Sequence, residues 1–176
     1  VFPFNYNNYA ELEALVNEHD IGVIKMEVVR NMGPEDNFLH KVRKLATDSG
    51  IVLIFDECTS GFRETFGGVH KKYGVEPDVA MFGKALGNGY GITATIGKRE
   101  IMEAAQTTFI SSTFWTERIG PTAALATLQV MEHLKSWDII TQIGLNIRRG
   151  LQKLADKHDL KINPWGLAAL TGFTLS

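Results

Sequence analysis

Much of what usually announces a function is missing from this chain. One cysteine among 176 residues excludes an internal disulfide and fits a reducing, cytoplasmic compartment. A net charge of −2 gives no footprint for nucleic acid and no polybasic patch for a membrane surface. No apolar run approaches the roughly 20 residues that span a bilayer. The Gly-Lys pairs, Gly83-Lys84 and Gly97-Lys98, lack the earlier glycine and the following Ser or Thr of a phosphate loop. Gly87-Asn-Gly-Tyr-Gly-Ile92 does not have GxGxxG spacing, so the local sequence excludes a dinucleotide fingerprint as well. The five histidines form no ligand pair at short spacing, which argues against a metal, and they read as surface residues. There is no repeat and no low-complexity segment. The chain opens without an initiator Met or a signal peptide and stops inside a strand-like stretch, so the expectation is an excerpt of a longer protein, cut at both ends.

What is present is an ordinary globular composition, 44% hydrophobic and 22% charged, long enough for a real core. Periodicity predicts a helix over 9–19, capped by Asn8, and a strand over 21–29 that carries Lys25 and Glu27. A second helix follows over 37–48, with Phe38, Val42, Leu45 and Ala46 on one face and Ser49-Gly50 as its stop. Ile51-Val-Leu-Ile-Phe55 then reads as a strand buried on both faces. Strand, helix, strand is the βαβ unit of a parallel sheet. Further strands are expected over 78–82 and 92–97, with short helices around 69–73 and over 98–105. The helix over 117–134 is apolar almost all round and is expected to be buried, with Thr116 as its N-cap. Another helix spans 138–158, weakened by Gly144 and Gly150. The fold class is α/β: three layers, a mostly parallel sheet with flanking helices. Residues 1–160 form the main domain, and the short strand-like pieces of 161–176 begin a smaller one.

In open parallel sheets ligands bind beyond the carboxyl ends of the strands. Asp56 closes one such strand, and Lys84 follows the next. Lys84 lies among Gly83, Ala85 and Gly87, with little to solvate an ammonium; a desolvated lysine is a nucleophile that bonds to carbonyls. The plainer reading is a surface lysine on a loop. Asp56 has three options: pairing with Lys84, binding a metal, or facing a protonated ring nitrogen. Cys58 is either a nucleophile awaiting a base or a small apolar filler. Glu27 is either a crevice carboxylate or a strand-end residue reaching water or a basic neighbour.

Several segments, taken in order, are similar to a known family. They are Val23-Ile-Lys-Met-Glu27, Asn31-Met-Gly33, Leu53-Ile-Phe-Asp-Glu57, Gly61-Phe-Arg63, Gly83-Lys-Ala-Leu-Gly-Asn-Gly89, Gly97-Lys-Arg-Glu-Ile-Met102, Ser112-Thr-Phe114 and Ala123-Ala-Leu-Ala-Thr-Leu128. Together they resemble the class III pyridoxal-phosphate aminotransferases of fold-type I, and within them the glutamate-1-semialdehyde aminomutase branch. The resemblance implies the large, cofactor-binding domain of such an enzyme, in part, with pyridoxal 5'-phosphate as cofactor. It implies that Lys84 holds the cofactor as a Schiff base and shuttles the proton. It places Asp56 at the ring nitrogen, Cys58 against one ring face and Asn31 near the ring hydroxyl. It places Thr113 at the cofactor phosphate across a homodimer interface.

Two departures stand out. Val28 replaces the family's proline after Glu27, and Trp115-Thr-Glu-Arg118 replaces a small-Gly-Asn-Pro turn. The second favours transfer between an amine donor and a carbonyl acceptor over an aminomutase. Arg118 is either an anchor for an acidic substrate or a helix-start surface residue. A non-catalytic relative, or a fragment without turnover, is the rival from another class. An excerpt of this extent is expected to bind cofactor poorly and to expose core and dimer surface. Nothing in the sequence selects a substrate.

Overall fold

The computed structural model describes every residue except Ser112, Trp115 and Ser176. Helix α1 (Tyr9–Glu18) starts where expected, with the Asn8 side chain accepting the Glu11 N–H at 3.2 Å. Strand β1 (Val23–Glu27), helix α2 (Phe38–Asp48) and strand β2 (Val52–Asp56) form the βαβ unit. A 3-10 turn (Val69–Tyr73) leads to β3 (Val79–Phe82), and a second (Lys84–Leu86) leads to β4 (Ala94–Gly97). The sheet order is β1-β2-β3-β4; the first three strands are parallel and β4 is antiparallel. Helix α3 (Arg99–Met102) runs into a 3-10 turn. The long helices α4 (Ile119–Leu134) and α5 (Ser136–Lys157) follow, and a hairpin of β5 (Ile162–Trp165) and β6 (Gly172–Leu175) ends the described chain.

The main core lies on one face of β1 and β2. Ile24, Met26, Leu53 and Phe55 meet Leu12 of α1 and Phe38, Leu39, Val42 and Ala46 of α2. The expectation of a strand buried on both faces is therefore corrected. Leu53 and Phe55 are fully buried, but Val52, Ile54 and Asp56 alternate onto a face this chain leaves partly open. On that face Val23 of β1 is 52% exposed.

A smaller cluster joins Ala80 and Phe82 of β3 to Phe62, Leu86 and Ala124. It buries α4 at Ala124, with Leu128 and Met131 packed against it. Leu125, Val130 and Leu134 are exposed, so the expected buried helix is a surface helix of this chain. Its all-round apolarity exceeds what its single contact face uses. Nor does Thr116 cap it: the Glu117 carboxylate accepts the N–H groups of Ile119 and, at 2.9 Å, Gly120.

The glycine at 144 has a packing reason. A Cβ there would lie 1.9 Å from the Ala168 carbonyl oxygen, so α5 and the Ala168–Leu170 turn approach at a distance that only glycine permits. Arg148 of α5 donates to the Trp165 and Gly166 carbonyls, and Leu167 enters the main core, tying the hairpin to the sheet.

Candidate active site

The open face ends at the carboxyl edge of β2 and β3, and there the reactive side chains gather. Asp56 is the last residue of β2. Its Oδ1 accepts the Cys58 N–H at 3.1 Å, and its Oδ2 lies 2.9 Å from the Lys25 ammonium. Burial alone would raise the Asp56 carboxyl, but Lys25 and the Cys58 N–H outweigh it and hold the group below its ordinary value. The sequence offered Lys84 as a partner for Asp56; the structure supplies Lys25.

Lys84 opens the turn after β3 with φ at 45°, a left-handed conformation uncommon for lysine and of a kind that collects at functional sites. Its ammonium donates to Thr59 Oγ1 at 2.6 Å. The side chain is exposed, which corrects the expectation of a desolvated lysine. The open face of the sheet lets solvent reach it.

Cys58 lies within electrostatic reach of both charged groups. Burial and the Asp56 charge push its thiol up, and the Lys84 and Lys25 ammoniums pull against them. A Cβ on Gly83 would come within 3.3 Å of Cys58 Sγ, so the β3 turn packs tightly on Cys58. Asp56, Cys58, Thr59, Lys84 and Lys25 thus form one cluster: an anion, two amines, a hydroxyl and a thiol, open to solvent on one side.

Asn31 sits in an exposed bend after β1, and its carbonyl accepts the Gly166 N–H at 3.1 Å. That bond faces it toward the hairpin. Thr113 lies on an exposed turn. Arg118 is exposed at the start of α4, and Trp115 lies outside the described residues. Glu27 Oε1 pairs with Arg30 at 3.0 Å, the basic neighbour of one earlier reading, while Oε2 is buried with no hydrogen-bond partner among the described residues.

A cavity of about 750 Å³ opens elsewhere, between the Phe62–Phe66 loop and β3–β4; neither Lys84 nor Asp56 lines it. Among the described residues no cluster of three His, Cys, Asp or Glu side chains has metal-binding proximity, and no helix is long and apolar enough to cross a membrane.

Sequence reasoning missed a second layer. Glu57 is fully buried beside Asp56, and its carboxylate accepts the Ser60 hydroxyl at 2.5 Å and the His70 N–H at 3.0 Å, with His70 Nδ1 at 2.9 Å. Burial would raise Glu57, but these donors hold it below its ordinary value. His70 is 4% exposed, not the surface residue expected. This knot anchors both ends of the 57–70 loop, which carries Cys58 and Thr59. Period-2 alternation was the available signal: Glu57 continues the Leu53, Phe55 side of the strand, the buried side. Alternation also puts Lys25 on the face of Glu27, but its pairing with Asp56 comes from the β1–β2 register.

The family model "Aminotransferase class-III" matches residues 9–167. A 3-aminobutyryl-CoA aminotransferase of Cloacimonas acidaminovorans is 35% identical over 94% of this chain and 43% of its own length. A glutamate-1-semialdehyde 2,1-aminomutase of Natranaerobius thermophilus is 36% identical over 89% of this chain and 39% of its own. The FumI protein of Sphingopyxis sp. MTA144, solved in its PLP internal aldimine form, superposes with a TM-score of 0.95 at 25% identity, covering all of this chain and 44% of that one. The chain spans less than half the length of these relatives. The match extends across both halves of the sheet and both long helices, and on it the chain belongs to the class III aminotransferase family.

Proposed function

We propose that the full-length protein carrying this chain is a pyridoxal-phosphate-dependent aminotransferase, moving an amino group from an amine donor to a carbonyl acceptor. The observation that carries the reading is the gathering of Lys84, bonded to Thr59, and Asp56, bonded to the Cys58 N–H, at the carboxyl edge of a parallel sheet. When bound, the cofactor supplies an aldehyde that bonds to amines and a protonated ring that draws electrons from the neighbouring carbon.

The donor set fits such a group. Lys84 supplies the amine, on an exposed stem free to reach a ligand and later to carry a proton. Asp56, held anionic, supplies the counter-charge for a ring nitrogen. Cys58 offers a small, polarizable side chain to one ring face. Thr59, already bonded to the Lys84 ammonium, steers it. The Glu57–His70 knot fixes the loop that holds Cys58 and Thr59.

Thr113, exposed on its turn, suits a role at the cofactor phosphate of a neighbouring subunit, which makes the working unit a homodimer. Asn31 is assigned to the ring hydroxyl, a cytoplasmic location goes with the single cysteine, and residues 161–176 open the smaller domain. The aminomutase relative supports a second reading, migration of an amino group within one molecule.

One experiment tests both. The full-length protein is loaded with pyridoxal phosphate and its visible band followed on adding candidate amines. An amine that bleaches the band, with a carbonyl acceptor restoring it and the two products released, supports transfer. Isomerisation of one amine substrate with no acceptor supports the second reading. The absence of any band in the wild type overturns both.

A further inference from the structure

Lys25 has no role in that account, and its surroundings ask for one. In the β1–β2 register Lys25 pairs with Ile54 and Glu27 with Asp56, so Lys25 lies diagonal to Asp56 and two residues from Glu27 on the same face. Its ammonium contacts Asp56 Oδ2 at 2.9 Å. The Glu27 charge also acts on it, so a second carboxylate is within electrostatic reach. That second carboxylate has a buried oxygen, Oε2, with no hydrogen-bond partner among the described residues. A buried carboxylate oxygen in that state is costly unless something can supply it with a donor.

The two oxygens of Asp56 are not equivalent. Oδ1 is engaged by the backbone at Cys58, which does not move independently of the strand. Oδ2 is in contact with the Lys25 ammonium, whose side chain is 53% exposed. A ring nitrogen directed at Asp56 therefore competes with Lys25 for one oxygen.

We propose that Lys25 is a displaceable cation with two positions: it pairs with Asp56 Oδ2, yields that oxygen to the ring nitrogen of the cofactor, and moves to Glu27 Oε2. The proposal rests on the reading of Asp56 as the ring-nitrogen partner. In either position Lys25 also separates two carboxylates, Glu27 and Asp56, that stand directly opposite in the register and would otherwise repel. Lys25 thereby sets how tightly the cofactor is held, and Glu27 sets how readily Lys25 gives way. The exchange swaps hydrogen-bonded ion pairs and makes or breaks no covalent bond.

The test measures equilibrium binding to the full-length protein by spectral titration. Two ligands are compared: pyridoxal 5'-phosphate and its analogue with the ring nitrogen replaced by carbon. Lys25→Met is expected to bind pyridoxal phosphate about fivefold tighter than wild type, the scale of an exposed ion pair, and the analogue no tighter. Glu27→Gln is expected to weaken pyridoxal phosphate binding by a similar factor, and that weakening is expected to vanish in the Lys25→Met background. Equal affinities for pyridoxal phosphate in wild type and Lys25→Met overturn the proposal. So does equal tightening for both ligands, which would mark a general effect of the substitution. A wild type that binds no pyridoxal phosphate overturns the functional reading itself, and that result is visible before any variant is made.

Discussion

The two ends of the parallel strands each carry an aspartate bonded to a lysine, and they are built differently. At the amino end Asp78 is saturated. Its Oδ2 accepts the Leu53 N–H at 2.8 Å and Arg43 at 2.9 Å, and its Oδ1 accepts Lys98 at 2.7 Å. These bonds tie β2, α2 and the β4–α3 junction to the start of β3, and the side chain is 9% exposed. At the carboxyl end Asp56 is 24% exposed, with the Cys58 N–H as backbone donor and the exposed Lys25 ammonium as its ion-pair partner. The first aspartate has a backbone donor and a mostly buried guanidinium besides its exposed lysine. The second keeps one oxygen on a partner that can leave. Charge at the amino end holds the fold, and charge at the carboxyl end remains available for chemistry.

The sharpest way to break this comparison is to truncate both aspartates. Asp78→Ala leaves the Leu53 N–H and a mostly buried Arg43 without their acceptor. It is expected to cost about 3 kcal/mol by denaturant unfolding. Asp56→Ala removes a half-exposed pair and is expected to cost less than about 1 kcal/mol, while abolishing tight pyridoxal phosphate binding. Equal stability losses would erase the distinction.

Acid sharpens it next. Burial would raise the Asp78 carboxyl, but the Leu53 N–H, Lys98 and Arg43 outweigh it and hold the group below its ordinary value. A carboxyl held low in the folded state contributes stability that is full above its unfolded value and is lost as pH falls through its folded one. Stability is therefore expected to fall from about pH 4 downward. Asp78→Asn should flatten that limb, measured as unfolding free energy against pH, with Asp56→Asn changing it less.

The smallest effect concerns packing away from both ends, in α5. Gly144→Ala meets the Ala168 carbonyl and is expected to cost about 1–3 kcal/mol. Gly150→Ala meets nothing and is expected to gain about 0.5–1 kcal/mol. Thermal unfolding of the two variants should move in opposite directions.

Much of this was legible in the residues. Apolar periodicity located α1, α2, β2, β3 and α5 within a residue or two, because local spacing follows the helix and strand periods. The placement of Asp56 and Lys84 at one sheet edge followed from two short apolar runs in a βαβ context. Burial was less legible. Periodicity reports which side of an element is apolar, not what covers it, so β2 and α4 were expected deeper than they lie. His70 looked like any histidine beside two lysines, because its partner, Glu57, is 13 residues away. Lys25 needed the strand register, which pairs residues that the sequence holds about 30 apart.

The most direct measurement is reductive trapping. The full-length protein is incubated with pyridoxal phosphate, reduced with borohydride and digested, and the modified peptide is mapped. The account predicts a label on Lys84 that is absent from Lys84→Ala and retained in Lys25→Met. A label on Lys25 or Lys98, or no labelled lysine at all, would contradict it.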